Sequence, residues 1–287
     1  MTAHLYSQSY GKSRVRLSRI TRTGPRHEFI ELTVAISLQG DFDAAFTAAE
    51  NRAIIATDTM KNTVYALANE HGVPSIEAFG QRLASHFLDT YAHVSQASIK
   101  LVERPWTRIT LDGEEHAHSF VASGGEEYCC EITATRGCTS MRSGLNGLRV
   151  LKTTASGFAD FLRDQYTTLP ETNDRIFATT IEASWPCTHL QADWFAIRQA
   201  IREEMLRVFA REFSPSVQAT LFQMAEAVFA RTAEIVEISI TMPNQHHLPA
   251  NLAPLGLKNA NETFIPTDEP HGLISAVVRR GEKGGSP

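Results

Sequence analysis

The sequence predicts an α+β protein assembled from two copies of one unit, each a long antiparallel hairpin followed by a pair of helices and further antiparallel strands. Three observations carry this. Long segments alternate apolar and polar residues with a period of two. Two pairs of segments instead space their apolar residues by three and four. Both kinds of segment recur in the same order in each half. The repeat is one of pattern, with little residue identity between halves, and its boundary falls near Arg142 to Gly147, dividing residues 1–142 from 143–287.

The first element is read from Glu28 to Leu38, where Ile30, Leu32, Val34, Ile36 and Leu38 share one side and Glu31, Thr33, Ala35 and Ser37 the other, as in a half-buried strand. Val15 and Leu17 begin the same alternation before it, and the intervening TGPRH supplies a turn, so the pair reads as a hairpin. After Asp41 the period changes. MKNTVYALANEHG forms a helix closed by Gly72, and Ile76, Phe79, Leu83 and Phe87 stripe a second helix from Ser75 to Tyr91, with Ser75 as its N-cap. Alternation returns in QASIKLVE, TRITL, HAHSFVA and YCCEITATR, with Asp112-Gly113 and Gly124-Gly125 read as hairpin turns of a meander.

In the second half, GLRVLKTT and RIFATTIEASW read as strands. Ile197, Ile201, Met205 and Val208 mark one helix and Val217, Leu221, Met224 and Val228 another, with FSPS between them as break and cap. Val236, Ile238, Ile240 and Met242 then alternate as a strand stopped by Pro243. The closing GEKGGSP, residues 281–287, reads as a frayed tail.

Composition narrows the function. Hydrophobic residues at 43% and charged residues at 21% exclude disordered and low-complexity classes, and 287 residues suffice to bury a core. The net charge of -5 argues against a non-specific nucleic-acid binder, so an anionic ligand needs locally placed Arg or Lys. The N-terminal segment lacks the apolar run of a signal peptide, no stretch approaches the ~18 apolar residues of a membrane span, and the chain does not end in a peroxisomal SKL; the expected location is the cytoplasm. Cys129, Cys130, Cys138 and Cys187 lack CxxC spacing and read as reduced, mostly structural thiols.

Hydrolase, nucleotide-loop and zinc-protease motifs are absent. His116 and His118, two apart in a strand, suit one polar face better than a metal site, and no metal is expected. The informative polar residues stand at element ends. Lys12 opens the first strand and reads as solvated unless it borders a cleft, where burial or a second cation would lower its proton affinity. Thr57-Asp58-Thr59 precedes a helix and reads as an N-cap cluster or as a hydroxyl presented to a ligand. On pattern alone, Phe158 beside Phe161 and Leu162 reads as core, and Gln218 at a helix start as solvated.

Five segments in order change the weight of these readings: YGK at 10–12, ATDTMKNTVY at 56–65, SGFADFLRDQYTTLPETNDRI at 156–176, SVQAT at 216–220 and PNQHH at 243–247. Together with ERPWTRI, HAHSF and the late HGLI, they closely resemble the urate oxidase (uricase) family over nearly the whole chain. Gln245 departs from the Lys that family members commonly carry, while Asn244 and His246 match.

The resemblance implies two tandem tunnelling-fold (T-fold) modules per chain, assembling into a homotetrameric β-barrel with active sites at subunit interfaces. It implies oxidation of urate by dioxygen and water to 5-hydroxyisourate and hydrogen peroxide, without a metal or organic cofactor. The matching positions give Lys12, Thr57 and His246 as a proton relay and Asp58 as an orienting group. Phe158 stacks on the ring, Arg175, Val217 and Gln218 grip its edges, and Thr57 with Asn244 holds dioxygen or water. Two alternatives stay open: a non-catalytic purine-binding protein on the same fold, or a metal-dependent enzyme of that fold acting on a pterin-like ring, which needs a Cys/His cluster.

Overall fold

A computed structural model describes residues 3–281, so the expected tail lies, apart from Gly281, outside the described residues. It has mixed α+β architecture with antiparallel pairing, and no helix among the described residues is long and apolar enough to cross a membrane. The chain divides into two compact units, Met1–Leu145 with Pro186–Phe195 and Asn146–Trp185 with Ala196–Pro287.

The first unit holds β1 (Tyr10–Arg22), β2 (His27–Gly40), a short α1 (Asp43–Thr47), α2 (Thr57–His71), α3 (Ile76–Thr90), β3 (Val94–Glu103), β4 (Trp106–Leu111), β5 (Glu114–Ala122) and β6 (Glu127–Thr135). It also holds the start of β7 (Thr139–Lys152). Its strands run in the order β1-β2-β3-β6-β7. Alternation stacks the core in rows across neighbouring strands: Ile36 opposes Ile99 and Ile99 opposes Ile132, while Val34, Leu101 and Cys130 form the next row. Helix α3 lies on these rows. Gly80 permits the approach, since a Cβ there would stand 2.4 Å from Ile132 Cδ1 and 2.7 Å from Leu101 Cδ1.

One expectation for this unit is corrected. Strands β4 and β5 pair only with each other in a separate ribbon, so β3 pairs directly with β6 and Gly124-Gly125 is a connection between sheets rather than a hairpin turn. Local alternation reports a strand but not its partner. The segment from Arg142 to Gly147 lies inside β7, as does the division between the two units at Leu145 and Asn146. None of the four cysteines is in a disulfide; Cys130 and Cys187 are buried, and burial pushes the Cys187 thiol up to about 12.

The second unit contains the remainder of β7, β8 (Phe177–Pro186), α4 (Trp194–Arg211, from Ala196 onward), α5 (Val217–Arg231), β9 (Glu237–Pro249) and β10 (Phe264–Arg279), ordered β7-β8-β9-β10. Ile238, Ile240 and Met242 of β9 are fully buried, as are Met224 and Val228 of α5. Strand β9 does not stop at Pro243. It is held beyond that residue on both sides, by Ala178 opposite Gln245 and by Gly272 opposite Asn244, and these flanking pairs outweigh one missing N–H. Strand β10 was not expected, because Pro266, Pro270 and Gly272 interrupt its period; its register breaks there, advancing five residues from Thr267 to Gly272 while β9 advances two from His246 to Asn244.

The helices of the two units end in matching ways. Ser75 accepts the Ala78 amide at 3.1 Å at the start of α3, and Ser216 accepts the Ala219 amide at 3.1 Å at the start of α5. At the opposite ends, Arg136 donates to Leu88, Tyr91 and Ala92 carbonyls, and Arg280 to those of Phe229 and Thr232, placing a cation on each helix's unsatisfied acceptors.

Candidate active site

In the second unit, a loop after β7 is folded back by main-chain pairing. The Phe158 amide donates to the Thr172 carbonyl at 2.7 Å, and the Arg175 amide donates to the Ser156 carbonyl at 2.9 Å. The Gly157 amide donates to the Ser214 carbonyl at 2.9 Å, so the turn before α5 joins the same knot. One backbone framework therefore fixes Phe158, Arg175 and the first turn of α5. Beside it lies a cavity of about 680 Å³ walled in part by Phe158, Arg175, Asn244, His246 and His247.

The cavity lining places the guanidinium of Arg175 beside two carboxylates, Asp174 and Glu262. The Arg175 guanidinium stands 5.5 Å from the centre of the Phe158 ring, which in turn stacks on Phe161 at 4.9 Å. Arg175 Nε is buried and has no hydrogen-bond partner among the described residues, and burial lowers the guanidinium's pKa. An arginine stays charged even so, and a buried donor without an acceptor costs roughly 1–3 kcal/mol. His247 Nδ1 is likewise buried and unpartnered. Val217 and Gln218 are not among the cavity walls; they occupy the first turn of α5, whose leading amides have no intrahelical acceptor, with Val217 buried and Gln218 exposed.

In the first unit, Lys12 is half-buried at a register shift between Lys12 and Val15, where Arg14 adopts φ 57°. Such a bulge re-aims the side chains beside it. Gly11 allows the strands to close just before it, since a Cβ there would stand 1.8 Å from the Ile36 carbonyl oxygen. Thr57 is the first residue of α2. The helix is preceded by Ala56 with no side-chain cap, so the N-cap reading of Thr57-Asp58-Thr59 is corrected. The Thr57 hydroxyl is half-buried and makes no hydrogen bond among the described residues. Asp58 is bound by Lys61 and Asn62 of its own helix. Lys61 chiefly holds its carboxyl below the ordinary range, and Lys12 adds to the same effect.

The uricase family profile matches residues 8–133 and 141–275. The chain is 39% identical to a uricase of Arthrobacter globiformis over 276 residues, covering 96% of this chain and 90% of that one. It is 40% identical to uricase-2 isozyme 2 of Glycine max, covering 96% and 95%. The chain belongs to the uricase family. The crystal structure of the Arthrobacter globiformis uricase superposes with a TM-score of 0.89 at 38% identity, covering 100% of this chain and 99% of that one.

Against this family, the structure sorts the expected residues into two groups. Phe158, Arg175, Asn244 and His246 meet at one cavity, with Val217 and Gln218 on the adjoining helix start. Lys12, Thr57 and Asp58 gather at the start of the first hairpin and of α2. Phe158 is half-exposed in a cavity wall, not core. His27, His116 and His118 do neighbour one another, with ring centroids 5.8 and 4.6 Å apart, yet no three His, Cys, Asp or Glu among the described residues are placed to hold a metal ion. Sequence reasoning assigned nothing to Tyr10 or His247. Tyr10 lies within the quoted YGK motif, whereas strand alternation would turn His247 away from His246.

Proposed function

We propose that this chain oxidises urate by the residues named above, at a site completed by a neighbouring copy of the chain. As a member of the uricase family it is an oxidoreductase acting on urate and dioxygen, in purine catabolism. The proposed reaction consumes urate, O2 and H2O and yields 5-hydroxyisourate and H2O2. Two electrons leave the purine and reduce dioxygen to peroxide, while water provides the new hydroxyl at C5. An ionised purine trione is electron-rich enough to reduce dioxygen itself, so the protein's work is binding, proton removal and placement of oxygen or water.

The observation that carries this reading is the buried, unpartnered Arg175 donor over the Phe158 ring. A flat anion stacked on Phe158 accepts charge-assisted hydrogen bonds from the planar Arg175 fork. Gln218, whose amide carries both a donor NH2 group and an acceptor carbonyl, matches an imide edge, and the Val217 amide adds a donor. Lys12 and Thr57 take up a proton that His246 passes onward. Asn244 and Thr57 hold dioxygen or the attacking water. Asp58, bound within its own helix turn, orients the Thr57 segment and moves no proton.

The same proposal includes two T-fold modules, 1–142 and 143–287, and a homotetrameric barrel. Matching helix caps in the two halves support the tandem reading. The test is simultaneous measurement of urate loss, oxygen uptake and peroxide release by chelator-treated protein. Equal amounts of all three support the reading; binding without turnover favours the purine-binding alternative, and turnover only after metal is restored favours a metalloenzyme.

A further inference from the structure

We propose that Tyr10 is a positioning residue that locks the approach to Thr57 onto the strand carrying Lys12. This rests on the reading of Lys12 and Thr57 as the proton relay. The Tyr10 hydroxyl accepts the Ile55 amide at 2.8 Å and donates to the Ile55 carbonyl at 3.3 Å. Both polar groups of a residue two positions before Thr57 are thus held by one phenol. The ring itself is fixed edge-on against buried Phe42, with centroids 4.8 Å apart.

The chain geometry makes this clamp consequential. Ala56, at the N-cap of α2, has no side-chain cap, so only the Met60 amide, bonded to the Ala56 carbonyl at 3.2 Å, ties the entry to the helix. On the other side of the clamp, Tyr10 is two residues from Lys12, and the strand bulges immediately afterwards. A bulge loosens the ladder, so the position of Lys12 relative to Thr57 depends on contacts outside it. Tyr10 joins the two segments directly. Burial raises the phenol's pKa, which keeps its proton available for the Ile55 carbonyl.

The test is a double-mutant cycle with Tyr10→Phe and Thr57→Ala in the full chain. Tyr10→Phe keeps the ring and removes both hydrogen bonds. It is expected to lower kcat roughly tenfold while KM for urate changes less than threefold, because the clamp bears on the relay and not on the Arg175 grip. In the Thr57→Ala background the same substitution is expected to change kcat less than twofold, since its effect runs through Thr57. Equal effects in both backgrounds, or unaltered kcat for Tyr10→Phe alone, would overturn the proposal while leaving the relay intact. Full turnover by Thr57→Ala would instead remove the relay on which it rests. Hydrogen exchange at the Ile55 amide of the unaltered protein gives an independent check: strong protection is expected, and exchange as fast as an open loop contradicts the clamp.

Discussion

Around the candidate residues the first unit satisfies Tyr10 and Asp58 while leaving the Thr57 hydroxyl without a hydrogen bond among the described residues, and the second unit leaves buried donors beside a cavity. In the first, the Tyr10 hydroxyl meets both its donor and its acceptor, and Asp58 is bound by Lys61 and Asn62. In the second, Arg175 Nε and His247 Nδ1 are buried beside a cavity without partners. The difference separates two tasks. On the proposed function, the bonds of Tyr10 and Asp58 position the Thr57 segment and leave its hydroxyl open, whereas the cavity leaves donors for a polar ligand to satisfy.

The strongest way to break this division is at the first unit's reactive groups. Lys12→Met and Thr57→Ala are each expected to lower kcat by roughly 10²- to 10⁴-fold, the range of general acid-base catalysis, with little change in the affinity for a non-oxidisable urate analogue. Steady-state kinetics with calorimetric titration checks both halves of the statement. A core change in the same unit should do the reverse. Ile99→Ala, between Ile36 and Ile132, is expected to cost about 2–5 kcal/mol in denaturant unfolding and to leave KM unchanged in the folded fraction.

Effects on binding belong to the second unit. Arg175→Ala removes charge-assisted hydrogen bonds worth about 1.5–3 kcal/mol, so analogue affinity is expected to fall roughly tenfold to a hundredfold by titration. The paired helix caps give the finest comparison. Ser75→Ala and Ser216→Ala should each cost about 1 kcal/mol of stability, yet only Ser216→Ala should also weaken analogue binding, because only α5 begins at the proposed grip.

The sequence makes elements with one unbroken period legible. Both helix pairs, the capping Ser75, a break and cap within FSPS, and the hairpin from Val15 to Leu38 follow from local pattern. Strand β10 does not, because two prolines and a broken register hide an alternation that β9 nonetheless enforces through pairing. The β4-β5 ribbon was legible as strands but not as a separate sheet, since partner choice is a long-range property. For the candidate site, the motifs named the residues while their periodicity argued for bland roles. Phe158 reads as core until the loop that folds it under Arg175 is known. Tyr10 shows no signal of its role, because the two bonds to Ile55 join residues 45 apart in sequence.

The central claim is that reactive groups from one chain and binding groups from another make a single working centre. Purified Lys12→Met and Arg175→Ala chains, each inactive alone, can be mixed, dissociated and reassembled, and urate turnover then measured. Each mixed pair of subunits would contain one centre with both substitutions and one with neither, so about a quarter of the unaltered activity should return on random mixing. A mixture as inactive as its components would show that each chain uses its own residues, and would contradict the account.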